Sequence, residues 1–132
     1  MLRNILSLIA GLAAGVIAVF AIHSLNYLLF PPAEGLDYNK PEDLALMMGQ
    51  LPPLAFAMLE LSYLVGSFLT GAVIGRFAAR RPLPWAISAG GLLTAANLVN
   101  LTNVPTPLWL AVLTTVTFLP ATWLGARLTA RR

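Results

Sequence analysis

Glu60 stands within a long apolar stretch, where a carboxyl is costly to bury and is therefore a candidate proton or cation site. His23, the sole histidine, shares a second such stretch with Asn26; Asn97 lies in a third, and Thr114 and Thr115 in a fourth. Glu60 lies inward of Pro53, His23 of Pro31, Asn97 of Pro105 and the two threonines of Pro107. In each case the separation is about seven or eight residues, a depth of ~10–12 Å along a helix. Helical spacing also puts Glu60, Tyr63, Ser67 and Gly71 on one face, Asn97 with Gly90 and Thr94 on another, and Asn26 in line with Ser7, Gly11 and Gly15. The expectation is a polar intramembrane layer of Glu60, His23, Asn97, Asn26, Tyr63, Thr114 and Thr115, contributed by four helices and open to the outside as a ligand or proton site. The structural alternative is a protonated Glu60 carboxyl hydrogen-bonded to Asn97, Tyr63 or a threonine.

Other chemistry finds few residues to carry it. The chain has no cysteine, which excludes disulfides, iron–sulfur clusters, thiolate zinc sites and cysteine nucleophiles. A single histidine supplies neither a multidentate zinc site nor bis-histidine haem ligation within one chain. No phosphate-binding Walker loop, Gly-x-Ser-x-Gly elbow or HExxH motif occurs, and no carboxylate pair lies within the apolar stretches. The sequence therefore points to no catalytic residue, metal or cofactor, and to a protein that is not an enzyme.

The elements that must position these residues follow from composition. Of 132 residues 58% are hydrophobic and 10% charged, with a mean hydropathy of +0.80, above what a water-soluble domain carries. Four apolar stretches each reach the ~20 residues needed to cross hydrocarbon as a helix. Helix is the expected form, because a bilayer offers no partners to free backbone groups and the alternating pattern of a membrane barrel is absent. The expected architecture is all-α: a single domain of four transmembrane helices bundled together, at approximately residues 4–30, 53–76, 83–104 and 107–129. Prolines 31, 32, 52, 53, 82, 84, 105 and 107 mark the inner boundaries. Between the first two helices, Leu44, Met47, Met48 and Leu51 recur at helical spacing, so a short amphipathic helix is expected at about 41–50, as an interfacial connector or a methionine-bearing lid. Pro120 falls inside the last helix and frees the Val116 carbonyl for Thr115, Thr117 or a neighbouring helix.

Orientation is read from arginine. Arg3, Arg76, Arg80, Arg81, Arg127, Arg131 and Arg132 fall on one side, while Lys40 lies on the other among Glu34, Asp37, Glu42 and Asp43. The arginine side is expected to be cytoplasmic, with both termini inside. Arginines at membrane ends anchor helices and meet anionic lipid, so the net charge of +3 points to the bilayer rather than to nucleic acid. Small residues spaced by four mark helix contacts in lipid: Gly11 and Gly15 on the first helix, Ser67, Gly71 and Gly75 on the second, Gly90 on the third.

Four segments, Pro32-x-x-Gly35-x-Asp37, Leu64-Val65-Gly66-Ser67-Phe68, Asn103-Val104-Pro105-Thr106-Pro107-Leu108-Trp109 and Leu119-Pro120-x-x-Trp123-Leu124-Gly125, resemble small four-helix bacterial inner-membrane proteins of unassigned function. The resemblance implies a bacterial inner membrane and no particular activity. Small multidrug transporters are similar in size, but they place their glutamate in the first helix, where this chain has His23. Three function classes follow. The favoured one is a non-enzymatic accessory or structural subunit of a membrane assembly, as homo-oligomer or within a larger complex. The alternatives are a small oligomeric transporter or channel built on Glu60, and lipid or quinone binding in an outward-facing cavity.

Overall fold

The computed structural model describes residues 1–37 and 39–131, and among these every regular element is helical. Helix α1 spans Leu2–Leu29, α2 Pro41–Gln50, α3 Pro53–Phe77, α4 Pro82–Asn103 and α5 Leu108–Thr129. Proline opens α2, α3 and α4, where a missing N–H costs nothing because the first turn has no partner for it. By length and composition α1, α3 and α5 can each cross a membrane. Helix α4 is as long as α5 but less apolar, since Asn97, Asn100 and Asn103 recur along its second half.

Helix α3 is the centre of the assembly, packed extensively against both α1 and α5; α4 packs on α5, less on α3 and only slightly on α1. The surface is inverted relative to a water-soluble fold. Helix α1 buries Asn4, Ser7, Gly11 and Gly15 and exposes Ile9, Val16, Ile17 and Phe20. In hydrocarbon a large apolar side chain gains nothing by leaving lipid, so the contact face goes to residues that let backbones approach.

The closest approach is between α3 and α5, which run parallel. A methyl group added at Gly71 would collide with the Thr122 carbonyl oxygen and lie 3.0 Å from Ala126 N; one added at Gly125 would collide with the Phe68 carbonyl oxygen and lie 2.9 Å from Ala72 N. The two glycines thus occupy reciprocal positions, each seated on the other helix's backbone. Thr129 extends the contact by donating a 2.8 Å hydrogen bond to the Ala72 carbonyl.

At the other contact, α1 runs antiparallel to α3. Asn4 Oδ1 accepts from the Ala79 and Arg80 amides at 2.7 and 3.4 Å, while its Nδ2 donates to the Arg80 carbonyl at 3.1 Å. Arg3 Nε donates to the Phe77 carbonyl at 2.8 Å. Together they fix the α3–α4 turn, in which Arg81 adopts a positive φ of 47°. With α5 parallel to α3, Arg3, Arg76, Arg80, Arg81, Arg127 and Arg131 all gather at one end of the molecule; Arg132 lies outside the described residues. Pro120 is accommodated without interrupting α5, but the two nearby threonines do not serve the Val116 carbonyl: Thr115 donates to Ala111 and Thr117 to Leu113, their own i−4 carbonyls.

Because backbone rather than a flexible side chain opposes the added methyl, Gly71→Ala and Gly125→Ala are each expected to lower stability by about 1–3 kcal/mol. Thermal unfolding in detergent measures this. Gly91→Ala, whose methyl meets nothing within 4 Å, is the control and is expected to unfold at or slightly above the parent temperature.

Candidate functional site

The polar residues expected to form one layer divide into separate groups, the last of them Glu60 alone. Asn97, 6% exposed, donates from Nδ2 to the hydroxyls of both Thr114 and Thr115 at 3.3 Å, tying α4 to α5. His23 meets Tyr63 edge-on at 5.6 Å between ring centroids, and Tyr63 in turn lies 5.4 Å from Phe118, so three rings run from α1 through α3 to α5. Asn26 donates to the Ala55 carbonyl at 3.2 Å and ties α1 to the start of α3. Glu60 Oε1 contacts the Thr117 hydroxyl.

His23, Tyr63 and Asn97 are brought together around a cavity of about 400 Å³. Its base is the crossing of Gly15 with Gly66, where a methyl on Gly66 would sit 2.9 Å from the Gly15 carbonyl oxygen. Ser67 and Thr70 of α3 and Leu93, Ala96 and Asn100 of α4 complete the wall, and Val16 and Phe20 stand at the rim of α1. Phe20 is 68% exposed, and α1 and α4 scarcely touch, so the cavity opens sideways between these two helices. The orientation differs from the outward-facing pocket read from the sequence. Small residues draw α1 onto α3 and α4 onto α5, which leaves a gap between α1 and α4.

A second cavity, about 610 Å³, lies towards α2. Leu44, Met47, Met48 and Leu51 line it opposite Asn26, Pro31 and Pro32, so the apolar face of α2 covers this end. His23 borders both cavities, and its Nε2 is buried with no hydrogen-bond partner. Among the described residues no group of His, Cys, Asp or Glu is arranged to hold a metal ion.

Glu60 lines neither cavity. On a helix, residues three apart are turned about 60° from each other; Tyr63 therefore reaches the lateral cavity while Glu60 is directed at α5. Thr117 Oγ1 lies between Glu60 Oε1 and the Leu113 carbonyl, 2.7 Å away. A hydroxyl has one hydrogen, so Thr117 shares it between Glu60 Oε1 and the Leu113 carbonyl when the carboxyl is ionised, and donates it wholly to Leu113 when the carboxyl is protonated and itself donates to Thr117.

Asn4, Thr70 and Asn100 are among the polar residues that sequence reasoning overlooked, as are the buried Ser62 and Thr122. Asn4 carried a signal, an amide inside an apolar run beside Arg3, and Asn100 another, its one-turn spacing from Asn97. Comparison with family models, curated proteins and solved structures finds no match to this chain.

An amide can replace a neutral carboxyl in the Thr117 contact, so Glu60→Gln is expected to unfold within about 1 kcal/mol of the parent. Infrared spectra at neutral pH are expected to show a protonated-carboxyl stretch that this substitution removes. Its absence from the parent would mean that Glu60 is ionised.

Proposed function

We propose that this chain is a multi-pass protein of the bacterial inner membrane whose four long helices all cross the bilayer with both termini cytoplasmic, and that it holds a lipid-tailed molecule in the lateral cavity. One observation carries the reading: a cavity of about 400 Å³, of the size of small-ligand sites, opens between α1 and α4 towards the surface that lipid would cover. Its apolar walls suit a hydrocarbon tail, and its few polar groups suit a head buried within the span. Gathering of the described arginines at one end supports the orientation. The resemblance to small four-helix bacterial proteins supports the location.

Helix α4 has a place in this reading despite its asparagines. Asn97 is paired with Thr114 and Thr115, and Asn100, although exposed, lines the lateral cavity. A second reading, an accessory subunit or homo-oligomer, is favoured by the outer face of α4. Ser88, Gly91 and Ala95 are exposed there in helical register, and small residues of this kind serve as contact faces in membranes. The Glu60 transporter reading gains less support, because Glu60 stands outside both cavities.

The absence of cysteine makes labelling unambiguous. With single cysteines at Arg80 and Asn39, a membrane-impermeant maleimide applied to intact cells is expected to label Asn39→Cys and not Arg80→Cys; the reverse pattern would overturn the orientation. Native mass spectrometry of the protein extracted with its lipids is expected to show a bound molecule that is lost on filling the cavity by Ala96→Phe and retained in Val99→Phe, a substitution outside it.

A further inference from the structure

The chemistry of the lateral cavity restricts its occupant further. Among the described residues, neither this cavity nor the one beneath α2 is lined by Lys, Arg, Asp or Glu. A phosphate head would find no cation and an amine head no carboxylate, and either would lose its hydration without compensation. The polar end is also deep. His23 is six residues from Leu29 at the end of α1, about 9 Å along the helix axis, whereas a phospholipid head belongs at the interface.

What the cavity does offer is uncharged hydrogen bonding beside aromatic surface. His23 and Asn100 both line this space, and neither brings a formal charge to it. Asn97, having spent its Nδ2 on two threonines, retains its carbonyl oxygen as an acceptor. The rings of Tyr63 and Phe118 stand with that of His23 around this end, a setting that favours a flat ring over a branched or sugar-like head.

Resting on the lateral-cavity reading above, we infer that the molecule held there is a membrane quinone: a planar dicarbonyl ring on an isoprenoid tail. The ring lies against the His23–Tyr63–Phe118 cluster, and a ring carbonyl accepts a hydrogen bond from the Asn100 amide. The reduced quinol instead donates its hydroxyl to Asn97 Oδ1. The tail leaves past Val16 and Phe20 between α1 and α4 into the bilayer. The inference concerns binding, and no electron transfer is part of it.

The test uses the full chain in nanodiscs of synthetic phosphatidylcholine, titrated with decylubiquinone. Saturable binding is expected, weakened tenfold or more by Ala96→Phe, which fills the cavity. His23→Leu, which removes the imidazole from the ring cluster, is expected to have the same effect, and Val99→Phe to leave affinity unchanged. Thermal unfolding of each variant separates lost binding from lost fold, and the two weakening substitutions lie on different helices. Absence of saturable binding by the parent, or binding indifferent to both substitutions, overturns the inference. If dioleoylglycerol or copurified phospholipid binds and is displaced by Ala96→Phe while decylubiquinone does not bind, the quinone assignment fails and the lateral site stands. If Ala96→Phe displaces nothing, both fail.

Discussion

The contact of α3 with α5 is the constraint on which the remaining arrangement depends. Two parallel helices meet there backbone to backbone, because Gly71 and Gly125 each leave room for the other helix's main chain. Without large side chains between them the axes come close, and dispersion over many short contacts replaces the water-driven burial that holds a soluble core. Helix α1 then has only the far side of α3 to pack on, and α4 chiefly that of α5. The gap between α1 and α4 follows from this order of packing.

Much of the fold was legible because its signals are local. Prolines mark helix starts by steric necessity, apolar length marks candidate spans, and clustered arginine marks a shared end. The amphipathic α2 was readable from Leu44, Met47, Met48 and Leu51, whose spacing predicts one face and whose side chains do line one cavity. Small residues at intervals of four identified faces that make contact. They did not identify partners: nothing in Gly71 and Gly75 announces that their counterpart is a parallel helix more than fifty residues on.

The candidate site was legible in depth but not in direction. Distance from a proline fixes how far along its helix a residue lies, which is why Asn97 meets Thr114 and Thr115 at one level. Azimuth depends on which neighbour each face meets, and that is a tertiary property. Glu60 is the instructive case. It belongs to the stripe that includes Tyr63 and Ser67, but the stripe is wide enough to face two neighbours, and the carboxyl falls on the α5 side with Thr117. Asn100 was missed for the converse reason, since it lies off the stripe and reaches the cavity only because α1 stands away from α4.

The clasp made by Asn4 bears on how the chain is assembled during synthesis. Its three hydrogen bonds reach backbone groups as many as 76 positions further along the polypeptide. During synthesis α1 is therefore complete long before the partners of its Asn4 amide, and the clasp closes only once the turn after α3 has been made. Formation of the first helix and closure of the hairpin are thus separable events, and the residues that latch α1 to α3, Ala79 and Arg80, precede the whole of α4 and α5.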